Sequence, residues 1–163
     1  MRARQPNSRH CFICGLENPH GLKLKFYQTA PGEVLVEYTV PEHYQSYPGI
    51  VHGGIVASIL DEAAGRVYTK DPAEGEPRFM YTARLDIRYR HNVPIGQPLR
   101  VIGRAGKDKG RVATATSAIY SADGQLLAEA EALLVNVPSE GMTPADLEAL
   151  GWKVYPEDDQ ALA

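Results

Sequence analysis

The sequence has few of the residues that would point to a disulfide-bonded, membrane-spanning or nucleic-acid-binding protein. Its 163 residues include only two cysteines, Cys11 and Cys14, which excludes a disulfide scaffold. No apolar run approaches the roughly 18 residues that a membrane span needs, so no membrane partner is expected. Charges of both signs are mixed, with a formal net charge of −3 and no basic run. Nucleic acid is therefore not an expected partner either.

The length predicts one domain with room for a core. Within it we expect an irregular N-terminal segment over 1–21, a folded domain over 22–137, and a tail over 138–163. The N-terminal residues are polar and do not resemble a signal segment, which predicts a cytoplasmic protein.

Hydrophobic periodicity predicts an α+β fold. Alternating apolar residues indicate two strands, at 22–28 and 33–40, and a wide apolar stripe indicates one long helix at 55–68. After a linker at 71–77, alternation resumes in four runs at 79–90, 97–107, 111–121 and 125–137. Asp/Gly turns between the last three runs favour hairpins, so we expect an antiparallel meander curled around the helix.

The tail is predicted to begin with a short helix. Thr143 is its expected N-cap, Pro144 occupies the first helical position, Asp146 is at the third, and Gly151 follows its end. Trp152 is a candidate anchor for this helix. No chemistry is expected from the tail.

A pair of glycines precedes the long helix. Gly53 and Gly54, directly after His52, would leave first-turn N–H groups open to a ligand, where a developing oxyanion meets donors and the helix dipole. The alternative is a tight turn that needs a positive φ. His52 either hydrogen-bonds the loop at the helix start or contacts a substrate.

Asp61 is the candidate base or nucleophile, because it lies on the side of the helix away from the apolar stripe. Its helical neighbours are all small: Ala57, Ser58, Ala64 and Gly65. A solvated surface acid is the alternative. The competing acid, Glu62, has Arg66 four residues later, and an ordinary surface ion pair accounts for it.

Helix geometry keeps the two features apart. Gly54 and Asp61 are separated by seven residues, which is about 10 Å of helix. A carbonyl that is polarised by the Gly54 N–H therefore lies too far from Asp61 of the same helix to be attacked by it. If both act on one substrate, the acid must come from a second copy of the chain, which predicts a two-fold dimer with two sites at its interface.

The run His-Gly-Gly-Ile-Val-Ala-Ser-Ile-Leu-Asp at 52–61, the strand at 82–89 and the Cys-rich segment at 11–22 resemble the hotdog-fold acyl-CoA thioesterases of the phenylacetate-pathway and hydroxybenzoyl-CoA type. The resemblance implies a curved antiparallel sheet of five or six strands wrapped around one long central helix. It also implies a homodimer or a dimer of dimers, an acyl-CoA substrate and no cofactor.

By the same resemblance, the N–H of Gly54 polarises the thioester carbonyl. Asp61 of the partner subunit activates water or attacks the carbonyl itself, and Thr82 orients water or substrate. The residues expected on the substrate side are His52, Gly53 and Ser58. The alternatives are a hotdog dehydratase, whose wider pattern is absent, and an acyl-CoA-binding domain without activity.

The two cysteines, with His10 and His20 nearby, raise the question of zinc. A structural zinc site usually combines two ligand pairs, and the sequence offers one Cys pair. We therefore expect no metal site, and two reduced cysteines packed beside the site entrance.

Overall fold

The computed structural model describes residues 2–69 and 77–157. These residues form seven strands and two α-helices: β1 (Ala3–Arg4), β2 (Tyr27–Ala30), β3 (Glu33–Thr39), α1 (Gly53–Arg66), β4 (Met80–Tyr89), β5 (Pro98–Asp108), β6 (Val112–Ser121), β7 (Leu126–Asn136) and α2 (Pro144–Leu150). The predicted linker lies, apart from Pro77, outside the described residues. Among those residues, no helix is long and apolar enough to cross a membrane.

The seven strands form one antiparallel sheet in the order β1-β2-β3-β5-β6-β7-β4. The predicted α+β fold with a curved sheet around one helix is confirmed, with seven strands where five or six were expected, because the two-residue β1 extends one edge. The predicted meander is wrong at one point. Strand β4 pairs with β7 and not with β5, so β4 becomes the opposite edge of the sheet.

The first predicted strand is also mostly wrong. Regular pairing begins only at Tyr27, although the alternating apolar residues before it are buried, namely Leu22, Leu24 and Phe26. The backbone there pairs with the N-terminal segment instead: the Leu22 N–H donates to Phe12 O over 2.9 Å, and Leu24 N–H donates to Ile13 O over 2.8 Å. The hydrophobic periodicity correctly predicted which side chains are buried. It does not contain the information on which segment supplies the backbone hydrogen-bond partners.

Helix α1 buries the stripe that the sequence predicts, including Val56, Ile59, Leu60, Ala63 and Ala64. The helix lies very close to β5, because a Cβ added to Gly103 would be 2.3 Å from the backbone oxygen of Ala63. The buried Ser117 hydroxyl of β6 donates to Leu60 O over 2.7 Å. The sheet therefore contacts the helix backbone as well as its side chains.

The capping pattern predicted for α2 is confirmed. Thr143 and Asp146 form a reciprocal capping box, Pro144 begins the helix, and Gly151 ends it with a φ of 64°. The chain after α2 pairs with the N-terminal segment, where the backbone N–H of Asn7 donates to the carbonyl of Lys153 over 2.9 Å. The two ends of the described chain thus lie together.

The close approach at Gly103 predicts that Gly103→Ala destabilises the protein, because the new methyl group meets a helix carbonyl that cannot move without shifting α1. We expect a loss of about 2 kcal/mol or more in urea unfolding. The matched control is Gly65→Ala, where an added Cβ has no atom within 4 Å and helix propensity favours alanine. Equal stability of both variants would contradict the close approach.

Candidate active site

The start of α1 is capped by the side chain of His52. Its Nδ1 accepts a hydrogen bond of 2.9 Å from the N–H of Gly54. His52 was expected either to form a hydrogen bond at the start of the helix or to contact a substrate. The structure shows the hydrogen bond at the start of the helix. The Tyr89 hydroxyl donates to the carbonyl of Gly53 over 2.8 Å, which connects β4 to the same turn.

The glycine pair does not serve a positive φ, and only Gly54 stands where a side chain would be tightly placed. Both glycines belong to α1, and neither is among the positive-φ residues. A Cβ on Gly54 would lie 3.1 Å from His52 Nδ1, and one on Gly53 would lie 3.7 Å from the Tyr89 ring. The tight-turn alternative is therefore wrong. Among the described residues the Gly53 N–H has no acceptor, whereas the Gly54 N–H is engaged by His52.

The histidine cap predicts that His52→Ala lowers stability by about 1 kcal/mol, because one first-turn N–H loses its side-chain acceptor. Thermal unfolding followed by circular dichroism measures the change. His91→Ala is the control, since His91 is exposed and its hydrogen bond to Leu127 is made by the backbone. A melting temperature that falls equally in both variants would argue against the cap.

Asp61 and Thr82 are brought together by the fold. The Thr82 hydroxyl donates to Asp61 Oδ1 over 2.6 Å, joining the middle of α1 to β4. Thr82 stands where the pairing of β4 with β7 shifts register, between Thr82 and Arg84. A bulge of this kind redirects a side chain, and here it accompanies a hydroxyl aimed at the acid.

A cavity of about 490 Å³ opens beside this pair. Its walls come from three parts of the chain: the N-terminal segment, α1 with the start of β4, and the tail. The tail contributes Met142, Leu150 and Trp152. The tail, from which no chemistry is expected, therefore contributes to the wall of the cavity. The feature of the sequence that pointed to packing of the tail was the single tryptophan, Trp152. The Trp152 ring contacts the Phe79 ring edge-on, with 5.2 Å between the centroids.

The glycine turn is not part of this cavity. Its lining includes Asp61 and Thr82 but none of His52, Gly53, Gly54 and Ser58. The Ser58 hydroxyl donates to the carbonyl of Gly54 over 2.8 Å, so it is bonded to the helix. Within one chain the predicted site residues thus form two groups, as the spacing along the helix requires.

A buried charge cluster forms another wall of the cavity. Arg66 is only 3 % exposed, and its Nε donates to Glu62 Oε1 over 2.8 Å. The predicted ion pair is present, but its arginine is buried and the pair is not the ordinary surface pair expected from the sequence. The guanidinium lies 4.8 Å from the ring centroids of both Phe26 and Trp152 and donates to the carbonyl of Pro6 over 2.6 Å. Burial lowers the pKa of Arg66, but Glu62 and the two neighbouring cysteines together raise that pKa above its ordinary value.

The two cysteines are free thiols in the same wall. A hydrogen bond between them raises the pKa of Cys11 and lowers the pKa of Cys14 to about 6, and the charge of Arg66 also favours the Cys14 thiolate. Neither His10 nor His20 joins them. Among the described residues, the metal-ligating side chain that does is Glu62, whose carboxylate lies within 4.8 Å of both sulfurs.

Comparison with known proteins identifies the family. Residues 48–128, which contain the glycine turn, Asp61 and Thr82, match the model of the thioesterase superfamily. The chain belongs to the thioesterase superfamily. The resemblance drawn from the sequence is thereby confirmed, and with it the fold.

Individual relatives agree with this result. An acyl-coenzyme A thioesterase THEM4 of Rattus norvegicus is 31% identical over 145 residues, which are 87% of this chain and 60% of that protein. A solved thioesterase superfamily protein, RHA08564, has 32% identity and a TM-score of 0.68, over 78% of this chain and 60% of the other. The chain thus spans about 60% of the length of these relatives.

A third relative shares the fold at lower identity. The structure of smu.793 from Streptococcus mutans UA159, bound to acetyl CoA, has a TM-score of 0.60 and 21% identity, over 70% of this chain and 88% of that one.

Proposed function

We propose that this protein is an acyl-CoA thioesterase whose active site combines Asp61 of one subunit with the glycine turn of another. The observation that carries the proposal is the Thr82–Asp61 hydrogen bond at the edge of an apolar cavity. It supplies a fixed carboxylate beside space for an acyl group. THEM4 is named as an acyl-CoA thioesterase, and smu.793 binds acetyl CoA, which supports the same substrate class.

In the first form of the proposed mechanism, Asp61 acts as a general base. The carboxylate of Asp61 takes a proton from water while the water oxygen bonds to the thioester carbon. The resulting oxyanion is stabilised by N–H groups at the start of α1, aided by the helix dipole. The C–S bond then breaks, and the coenzyme A thiolate leaves and gains a proton. Direct attack by Asp61, forming an anhydride that water hydrolyses, is the other form of the same proposal.

In the free chain His52 occupies the Gly54 N–H. A bound carbonyl would therefore replace the imidazole as acceptor at Gly54, with the Gly53 N–H as a second donor. This exchange leaves the helix capped in both states. It also gives His52 a place beside the thioester, as expected for a substrate-side residue, together with Gly53 and Ser58.

Strand β4 supports the proposed dimer. It is a ten-residue strand at the edge of the sheet, and its tyrosines are open, with Tyr81 60% exposed and Tyr89 54% exposed. Long unpaired edges with aromatic side chains favour pairing with another strand. A second copy of β4 is the partner we propose, and a dimer or a dimer of dimers follows. The cytoplasmic location stays a prediction.

The first test is Asp61→Asn, which removes the base but keeps the shape of the side chain. We expect release of coenzyme A from a panel of aryl- and fatty acyl-CoA esters to fall about 100-fold or more. Asp86→Asn is the matched control, because Asp86 is an exposed acid of β4 paired with Arg84. Tight acyl-CoA binding without turnover by the unmutated protein would instead favour an acyl-CoA-binding domain.

Thr82 is proposed as a positioning residue that holds Asp61. Thr82→Val removes the hydroxyl, and we expect kcat to fall roughly ten-fold with KM little changed, since a hydrogen bond to a charged group is lost. Thr82→Ser should restore most of kcat. Equal losses in both variants would contradict a role for the hydroxyl.

Mixing two inactive variants tests the shared site. Gly54→Pro removes the Gly54 N–H in the first turn of α1, where no hydrogen bond within the helix is lost, and Asp61→Asn removes the acid. In a mixed dimer one site carries both changes and the other carries neither. Random mixing should therefore restore about a quarter of the normal activity. Mixed dimers without activity, or a strictly monomeric active protein, would overturn the shared site.

A further inference from the structure

We propose that Cys11, Cys14 and Glu62 bind a zinc ion in the wall of the Asp61 cavity. These three side chains come from two separate parts of the chain, the N-terminal segment and α1. Their ligand atoms lie within 4.8 Å of one another. Sulfur and oxygen ligands about a bound zinc are roughly 3.5–3.8 Å apart, so small side-chain rotations bring all three to one ion.

The cysteine segment has a backbone shape suited to a metal thiolate. The N–H groups of Ile13 and Cys14 both point at Cys11 Sγ, at 3.3 Å each. Hydrogen bonds of this kind orient a thiolate ligand and spread its charge. The turn closes with Gly15, whose N–H donates to Cys11 O over 2.8 Å. A Cβ on Gly15 would lie 2.3 Å from that oxygen, so the turn requires glycine.

The donor set selects the kind of metal. Two thiolates and one carboxylate suit zinc, whereas calcium and magnesium prefer oxygen ligands alone. Three anionic ligands with a divalent ion leave one negative charge, and the buried Arg66 beside Glu62 balances it. Arg66 bonds to Oε1 of the carboxylate, so Oε2 is the oxygen we assign to the metal.

The fourth position would face the cavity. Cys11, Cys14 and Glu62 all line it, together with Asp61 and Thr82, so water from the cavity can complete a tetrahedral site. The ion would fix the N-terminal segment to α1 at the cavity wall. Only cysteines and histidines were considered as zinc ligands from the sequence. Glu62, which comes from α1, was therefore not included.

The test uses untagged protein purified without chelators and kept reduced by a phosphine. We expect about one zinc per chain by mass spectrometry, as for a specific site. Cobalt added to the metal-depleted protein should give thiolate-to-cobalt charge-transfer absorption and the visible bands of tetrahedral coordination. Absence of both zinc and these cobalt bands in the unmutated protein overturns the proposal.

Variants separate the site from the catalytic proposal. Cys11→Ser should reduce the charge-transfer band to about half and weaken cobalt binding on the order of ten-fold or more, and Glu62→Gln should weaken binding with the full thiolate bands retained. Asp61→Asn, which changes the neighbouring acid, should keep full metal content while losing hydrolysis. Unchanged cobalt binding in Cys11→Ser refutes the assigned ligands, whatever the activity of Asp61→Asn.

Discussion

The buried guanidinium of Arg66 is the group on which the cavity depends. A charge that is 3 % exposed must be compensated within the protein, and here the compensation comes from three directions. Glu62 pairs with it on the same helix, Pro6 of the N-terminal segment offers a carbonyl, and Trp152 of the tail covers it with an aromatic face. Removing the N-terminal segment would leave the Arg66 guanidinium without its Pro6 carbonyl acceptor, and removing the tail would expose it to solvent. These contacts therefore hold both segments against α1.

This arrangement explains why the cavity is built largely outside the central sheet. The sheet and α1 bury their apolar faces against each other and leave little space, as the contact at Gly103 shows. The cavity beside Asp61 forms where the N-terminal segment and the tail meet the polar side of the helix. Asp61 and Thr82 stand at that junction, with a carboxylate facing a pocket that the peripheral segments complete.

The sequence predicted best what depends on local periodicity and caps. Three features could be predicted because each is set by neighbours within a few residues: the apolar stripe of α1, the positions of the strands after it, and the capping box of Thr143. The crossing of β4 to the far edge was not, since pairing partners are chosen by the whole sheet. The residues before Tyr27 show the same limit: their burial was predicted and their backbone partners were not.

The candidate site divides in the same way. The helix carrying Gly54 and Asp61 was predictable, and so was the ion pair of Glu62, because each rests on helical spacing. The bond from Thr82 depends on a bulge in β4, and the approach of Glu62 to within 4.8 Å of the cysteine sulfurs depends on how the N-terminal segment folds back. Neither has a signature along the chain. Both join side chains that only the tertiary structure brings together.

Helix geometry also fixes what the proposed dimer must look like. If Gly54 faces the partner's Asp61 on an antiparallel helix, the two-fold axis passes midway between positions 54 and 61, at the junction of Ala57 and Ser58. Two helices can bring a backbone N–H and a carboxylate to one carbonyl only where their backbones approach closely, and small side chains at the axis allow this. Ala57 and Ser58 are such residues, and both are incompletely buried in the single chain. The same small side chains that surround Asp61 on its own helix thus provide the space that a second helix would need.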